Sequence, residues 1–136
     1  MTSTDALADA AAMQRGTTAE VLVLSADGGA KALTNLLAEL QQHQIYADAV
    51  GSIESAREAF LAAGGHGLVV VAPDVVPGVA RRVVDSLRAI DPHLAVLIFG
   101  RGQLRHLKDA RTTRADGFHP TSRAGVGAVL KAVRGA

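Results

Sequence analysis

The sequence contains no cysteine and no tryptophan, and its 136 residues include only one tyrosine and three phenylalanines. The absence of cysteine excludes disulfide bonds, thiol catalysis and thiolate metal sites, and it suits a reducing cytosol. Charge of either sign is not in excess, since 14 Lys and Arg residues face 13 Asp and Glu residues, a net charge of +1. This balance gives no overall field that would draw the chain to nucleic acid or to a membrane. We therefore expect any electrostatic partner to be bound by a local patch.

Long apolar runs are also missing. No run approaches the roughly 18 residues that can span a bilayer, and Asp5 and Asp9 interrupt the apolar stretch near the N-terminus, where no basic region precedes it. A secretory signal is therefore not expected, and the sequence favours a cytoplasmic protein. Residues 1–19 predict a flexible tail, and residues 20–136 predict one domain whose core is supplied by a 49% hydrophobic content.

From residue 20 onward, short apolar runs alternate with amphipathic segments. The runs predict strands at 20–24, 45–50, 68–72, 94–99 and 116–119. Each strand is followed by residues with helical spacing. The expected inward faces are Leu33, Leu36, Leu37 and Leu40; Ile53, Ala56 and Phe60; Val79, Val83, Val84, Leu87 and Ile90; Leu104, Leu107 and Ala110; and Val126, Val129, Leu130 and Val133. Ser52 and Ser122 are predicted helix caps, and Gly64-Gly65 a helix stop.

Five strand–helix pairs in so short a chain require right-handed crossovers, which predict a parallel sheet with helices on both faces, a doubly wound α/β sandwich. Ligands of such sheets bind at the carboxyl ends of the strands. The loops at that edge are expected at 25–29, 72–78, 100–103 and 119–122.

Residues 20–135 resemble the receiver domain of bacterial response regulators. The resemblance rests on the run Val21-Leu22-Val23-Leu24, on Leu68 to Ala72 followed by Val76-Pro77-Gly78, and on Ala115-Asp116-Gly117-Phe118 entering the fifth strand. It implies a three-layer, flavodoxin-like α/β fold with the strand order 2-1-3-4-5.

Receivers accept a phosphoryl group on an aspartate that ends the third strand, and carboxylates hold the Mg²⁺ ion that this reaction needs. The resemblance places the acidic pair of receivers at Ser25 and Ala26, with Asp27 one residue further along, and the acceptor at Ala72. Receivers also end their fourth strand with a hydroxyl residue and their fifth strand with a lysine. The resemblance places the hydroxyl residue at Gly100 and the lysine at Thr121. The chain is therefore predicted to be a degenerate receiver that is not an enzyme and holds no metal or cofactor.

A basic stripe is predicted on the fourth helix and its flanks, where only Asp109 is acidic. It comprises Arg101, Arg105, Lys108, Arg111 and Arg114. Arg101, Arg105 and Lys108 recur at i, i+4 and i+7, which puts them on one exposed helical face. The resemblance implies that signalling proteins dock on the face formed by the fourth helix, the fifth strand and the last helix. It places Phe118 where receivers carry an aromatic ring in the fifth strand, as part of this face. A homodimer through the same surface is a further expectation. Nucleic acid is not expected as a partner, because the stripe has no stacking aromatic.

Two other functions stay open at this stage. Asp74, three residues before Pro77, is a candidate displaced phosphoryl acceptor that could share a metal ion with Asp27. Ser25-Ala26-Asp27-Gly28-Gly29 could instead cradle the phosphate of a nucleotide or flavin, although its glycine spacing fits neither standard phosphate loop. The five histidines are in separate segments without ligand spacing, so they predict no metal site.

Overall fold

The computed structural model describes residues 19–26, 33–100, 104–115 and 119–135. The described residues form five strands and four helices. In chain order these are β1 (Ala19–Leu24), α1 (Thr34–Gln42), β2 (Tyr46–Val50), α2 (Ile53–Ala62), β3 (Leu68–Val71), α3 (Pro77–Ile90), β4 (Ala95–Ile98), β5 (Thr112–Arg114) and α4 (Arg123–Gly135).

The five strands form one parallel sheet in the order β2-β1-β3-β4-β5. Alternate residues of the central strands feed two apolar clusters, as the two faces of a pleated strand require. Leu22 packs with residues of α2 and α3, whereas Val21 packs with residues of α1 and α4. The predicted flavodoxin-like fold, with its strand order and helices on both faces, is confirmed.

Helix ends follow the predicted local chemistry in several places. Ser52 and Ser55 form a reciprocal cap at the start of α2, and Gly64 ends that helix at φ +75°. The hydroxyl of Ser122 accepts a hydrogen bond from the backbone N–H of Gly125 at the start of α4. These caps satisfy backbone groups that a helix end leaves unpaired. Gln44 takes the left-handed conformation that follows α1, at φ +61°.

The predicted fourth helix is wrong over the described residues 104–111, which form turns. The predicted fifth strand at 116–119 is also misplaced, because β4 pairs with residues 112–114, while 116–118 are outside the described residues. Ala115 therefore follows β5 instead of leading into it. The physical reason is that hydrogen bonds of Arg88 and Asp109 hold residues 104–111 in turns, although the leucines of this segment have helical spacing. Ile90, expected to face inward, is 44% exposed at the last turn of α3.

No helix in the described part of the chain is long and apolar enough to cross a membrane. Of the predicted N-terminal tail, residues 1–18 are outside the described residues, and Ala19 belongs to β1.

Candidate functional site

The carboxyl ends of the central strands bring together three of the residues that the resemblance singled out. Leu24, Val71 and Ile98 are paired across β1, β3 and β4, so Ser25 and Ala72 follow at the same edge, with Gly100 two residues beyond β4. Together with Asp74, which lies two residues after Ala72, these residues form a group that we call the strand-end pocket. Ser25, Ala72 and Gly100 are buried. An apolar methyl group therefore ends β3.

Asp74 reaches back over this pocket from the turn after β3. Its Oδ2 accepts a hydrogen bond of 3.0 Å from the hydroxyl of Ser25. The turn is closed by a weaker bond, in which the backbone N–H of Val75 donates to the carbonyl of Ala72 at 3.3 Å. Asp74 itself is exposed and makes no salt bridge with any described residue. The pocket thus holds one carboxylate, at its mouth, without a described positive partner.

The remaining predicted pocket residues are less closely joined to this group. Ala26 is exposed, and Asp27 is outside the described residues. Thr121 bonds within its own loop, where its hydroxyl lies 2.7 Å from Nδ1 of His119. No three His, Cys, Asp or Glu residues of the described ranges lie close enough together to hold a metal ion. A joint site of Asp27 and Asp74 stays a prediction, because Asp27 is not described.

Arg88 is a functional candidate that the sequence reasoning missed. Its side chain is only 14% exposed, and its guanidinium reaches from α3 to Leu94 before β4 and to residues at the start of β5. Nε and Nη2 donate to the carbonyl of Leu94 at 3.1 and 2.9 Å. Nη1 donates to Oδ2 of Asp109 at 2.8 Å, and Nη2 also donates to the hydroxyl of Thr112 at 3.3 Å. One partly buried cation therefore joins α3, the start of β4 and the start of β5.

Asp109 organises the other side of this contact. Its Oδ1 accepts the backbone N–H of Arg111 at 2.9 Å and the hydroxyl of Thr112 at 3.1 Å, the pattern of an Asx turn. The Arg88 hydrogen bond, aided by those from Arg111 and Thr112, outweighs burial and holds the pKa of Asp109 below its usual value. The sequence carried one signal for this turn, since Asp109 is a residue type that forms Asx turns and is followed at i+3 by a threonine.

The predicted basic stripe does not form one helical face. Arg105, Lys108 and Arg111 are all exposed. Arg105 lies beside the start of α3, where it lines a shallow depression with Gly78 and Arg81, whereas Arg111 lines a different cleft beside α4. Arg114 belongs to β5, and one of its Nη atoms donates to the carbonyl of Leu104 at 2.7 Å. Arg101 and Phe118 are outside the described residues.

A buried histidine at the opposite edge of the sheet was also missed. Nε2 of His66 lies 2.8 Å from Oδ2 of Asp48, within hydrogen-bond distance. The ring stacks on Phe60 with 5.7 Å between centroids. Its Nδ1 is buried and has no hydrogen-bond partner among the described residues. Because the His66 side chain is fully buried, this pair ties β2 to the start of β3 instead of offering a reactive group to solvent.

Comparisons of the chain with protein-family models, with curated proteins and with solved structures gave no match. The geometry alone therefore defines what these residues can do. The strand-end pocket offers one exposed carboxylate and one hydroxyl, and the 104–111 connection offers exposed cations on a turn that Arg88 and Asp109 hold in place.

Proposed function

We propose that this domain is a degenerate receiver that works by binding a signalling protein in bacterial signal transduction, without phosphorylation. The observation that carries the proposal is the buried Ala72 at the end of β3, the position at which the resemblance would place the phosphoryl acceptor. A methyl group has no oxygen with which to accept a phosphoryl group or to bind a divalent cation.

The neighbouring residues support the same conclusion. Transfer of a phosphoryl group is catalysed mostly by positioned cations that stabilise the charge of the transition state. No described Lys or Arg is paired with Asp74, and the Ser25 hydroxyl already donates to it. Among the described residues, therefore, no cation is positioned at Asp74 for receiver chemistry, which supports the proposal.

Partner binding is assigned to the exposed cations of the 104–111 connection, together with β5 and α4. Arg105, Lys108 and Arg111 make no ion pair with any described residue, so their charge is available to an acidic surface. Complementary charge chiefly accelerates encounter and selects the partner. Self-association through this face is the alternative use of the same surface.

A phosphodonor experiment tests the first half of this proposal. The full-length protein is incubated with acetyl phosphate and Mg²⁺, and its intact mass is measured. We expect no mass increase and no change in the amide NMR spectrum. A gain of one phosphoryl group that disappears in Asp74→Asn would overturn the proposal.

A charge-reversal experiment tests the second half. The double variant Arg105→Glu/Lys108→Glu is compared with Arg57→Glu/Arg82→Glu, which changes the net charge equally at exposed positions of α2 and α3. Partner binding is measured by cross-linking, and dimer formation by sedimentation velocity. We expect the first variant alone to lose this binding, while its melting temperature stays unchanged. Equal loss of binding in both variants would show that only the overall charge matters. Binding that is retained in the first variant would exclude this face as the binding site.

One observation favours a second candidate, an atypical response regulator that accepts a phosphoryl group on Asp74. The 3.0 Å hydrogen bond from Ser25 holds this carboxylate at the mouth of the strand-end pocket. In that reaction an oxygen of Asp74 would attack the phosphorus of acetyl phosphate, and acetate would leave. The mass measurement above separates the two candidates.

A further inference from the structure

An apolar cleft lies between α4 and the β4–β5 edge of the sheet, on a different face from the strand-end pocket. Its volume is about 390 Å³. Leu68 and Leu97 contribute to its floor, and Ala128 and Ala132 line it from α4. Pockets that take small ligands have volumes of roughly 300–1,000 Å³, so this cleft suits a ligand at the small end of that range.

The cleft exists because short side chains meet a short strand. Ala128 and Ala132 are separated by one helical turn and face the sheet together. Neither is long enough to fill the space beside β5, which has only three residues. The bulkier Val126 and Val129 of the same helix are buried in the adjacent core. The opening is thus a consequence of which helix positions carry alanine.

Among the described residues, the charged side chains that line this cleft are all cations. Arg111, Arg114 and Lys131 line it from three different elements, and no described acidic residue does. Arg111 and Lys131 form no ion pair with any described residue, while Arg114 donates to the carbonyl of Leu104. Arg111 and Lys131 thus carry like charges beside the same cleft, and an anion bound between them would relieve their repulsion.

We propose that this cleft binds a small anionic amphiphile, a carboxylic acid with a saturated hydrocarbon tail. The tail lies on the apolar floor, and the carboxylate is bound by Arg111 and Lys131 at the rim. Burial of the tail contributes about 0.8 kcal/mol per methylene group, and the cations select the carboxylate over a neutral or positive head group. This inference goes beyond the proposed function and needs no protein partner.

Decanoate, used below its micelle-forming concentration, is the probe. Its binding to the full-length protein is followed by amide NMR shifts and by calorimetry, with decyltrimethylammonium as the probe of equal tail and opposite charge. We expect saturable shifts of residues lining the cleft with decanoate only. Equal binding of the two probes, or shifts spread over the surface, would overturn the proposal, as would the absence of decanoate binding.

Two variants locate the site. Lys131→Glu should weaken decanoate binding by about tenfold or more, because a charge-assisted bond of about 1.5–3 kcal/mol is lost, whereas Arg57→Glu should leave it unchanged. Ala132→Leu should abolish binding by filling the cleft, and Gly127→Ala, on an open part of the same helix, is its control. Lys131 is exposed, so its variant folds even if Ala132→Leu does not.

Other outcomes are equally decisive. If hexaglutamate displaces decanoate at comparable concentration, the cleft recognises acidic peptide and the amphiphile is excluded. Unchanged affinity in Lys131→Glu also contradicts the proposal. Decanoate binding that survives in Arg105→Glu/Lys108→Glu, a variant that keeps both Arg111 and Lys131, separates this result from failure of the proposed function.

Discussion

The centre of the sheet and the 104–111 connection reach their structures by different physical means. In the centre, residues 21–24 of β1 and the whole of β3 and β4 are continuous apolar runs covered on both faces, and burial holds them in place. Within residues 104–111, only Leu104 is buried, and the partly buried guanidinium of Arg88 with an Asx turn fixes the backbone. The comparison teaches that polar contacts can hold residues 104–111 in place without the packing of a helix.

The difference also matters for function. A packed helix presents its charges in one row, whereas the turns of the connection send Arg105 and Arg111 to separate depressions. Leu104 even adopts a left-handed backbone, at φ +55°, while its side chain is buried and its carbonyl accepts from Arg114. Such conformations cost free energy and persist only where surrounding contacts fix them.

The largest effect is expected in the apolar centre. Leu22→Ala in β1 removes a fully buried side chain and should lower the free energy of unfolding by about 2–5 kcal/mol, through lost burial and the cavity left behind. Urea denaturation measures this loss. Leu61→Ala, at a position that is 60% exposed, should change stability by about 0.5 kcal/mol or less. Similar losses at both positions would contradict the idea that burial holds the centre.

The next effect concerns the loop that follows β5. A Cβ atom on Gly125 would collide with the backbone of His119 and Pro120, so Gly125→Ala should destabilise the protein by about 2–3 kcal/mol, as overpacking against backbone does. Gly127→Ala in the same helix meets nothing within 4 Å and should stabilise it by about 0.5–1 kcal/mol. Melting curves of the pair give the test, and a stabilised Gly125→Ala would show that the loop is not packed on α4.

A smaller and more local effect is expected at Arg88. Arg88→Ala removes the two guanidinium N–H groups that donate to the carbonyl of the buried Leu94. The free energy of unfolding should therefore fall by about 2 kcal/mol. Hydrogen exchange should speed up in the connection more than in β1 and β3. Arg82→Ala, at an exposed position of the same helix, is the control. Uniform acceleration along the chain would mean that Arg88 stabilises the whole domain and not this connection in particular.

The smallest effect is the pH dependence of Asp109. Because hydrogen bonding lowers its folded pKa, its contribution is present above the unfolded value of about 4 and is lost as pH falls through the folded pKa. Its side chain is 43% exposed, so screening limits the contribution to below about 1 kcal/mol. The stability difference between wild type and Asp109→Asn should therefore shrink between pH 7 and pH 3. A difference that grows on acidification would reverse the assigned sign.

Much of the fold was predictable because burial leaves a periodic trace. Leu33, Leu36 and Leu40 are spaced for one helical face and are buried together, and Ser52 and Gly64 mark the ends of α2. Leu104 and Leu107 show the same kind of spacing, yet no helix forms there. Periodicity records only which residues are apolar, and here turns bury Leu104 and partly bury Leu107 without forming a helix.

The candidate sites were less predictable, since they depend on distances between remote segments. Ser25 and Asp74 were each singled out, but their hydrogen bond spans 49 positions. Arg88 looks like any charged residue on a helix until Leu94 and Asp109 are placed beside it. The apolar cleft with its cationic rim has no local signature, because α4, β5 and the connection each supply part of it.

The sequence by itself determined the alternation of strands and helices, the buried faces of the central strands and the apolar residue that ends β3, because these depend on composition and short-range spacing. Only the tertiary structure decided the path of the chain between β4 and β5, the partners of Arg88 and the position of Arg111. Those features arise from side chains far apart in sequence, whose contacts outweigh a weak local preference for helix.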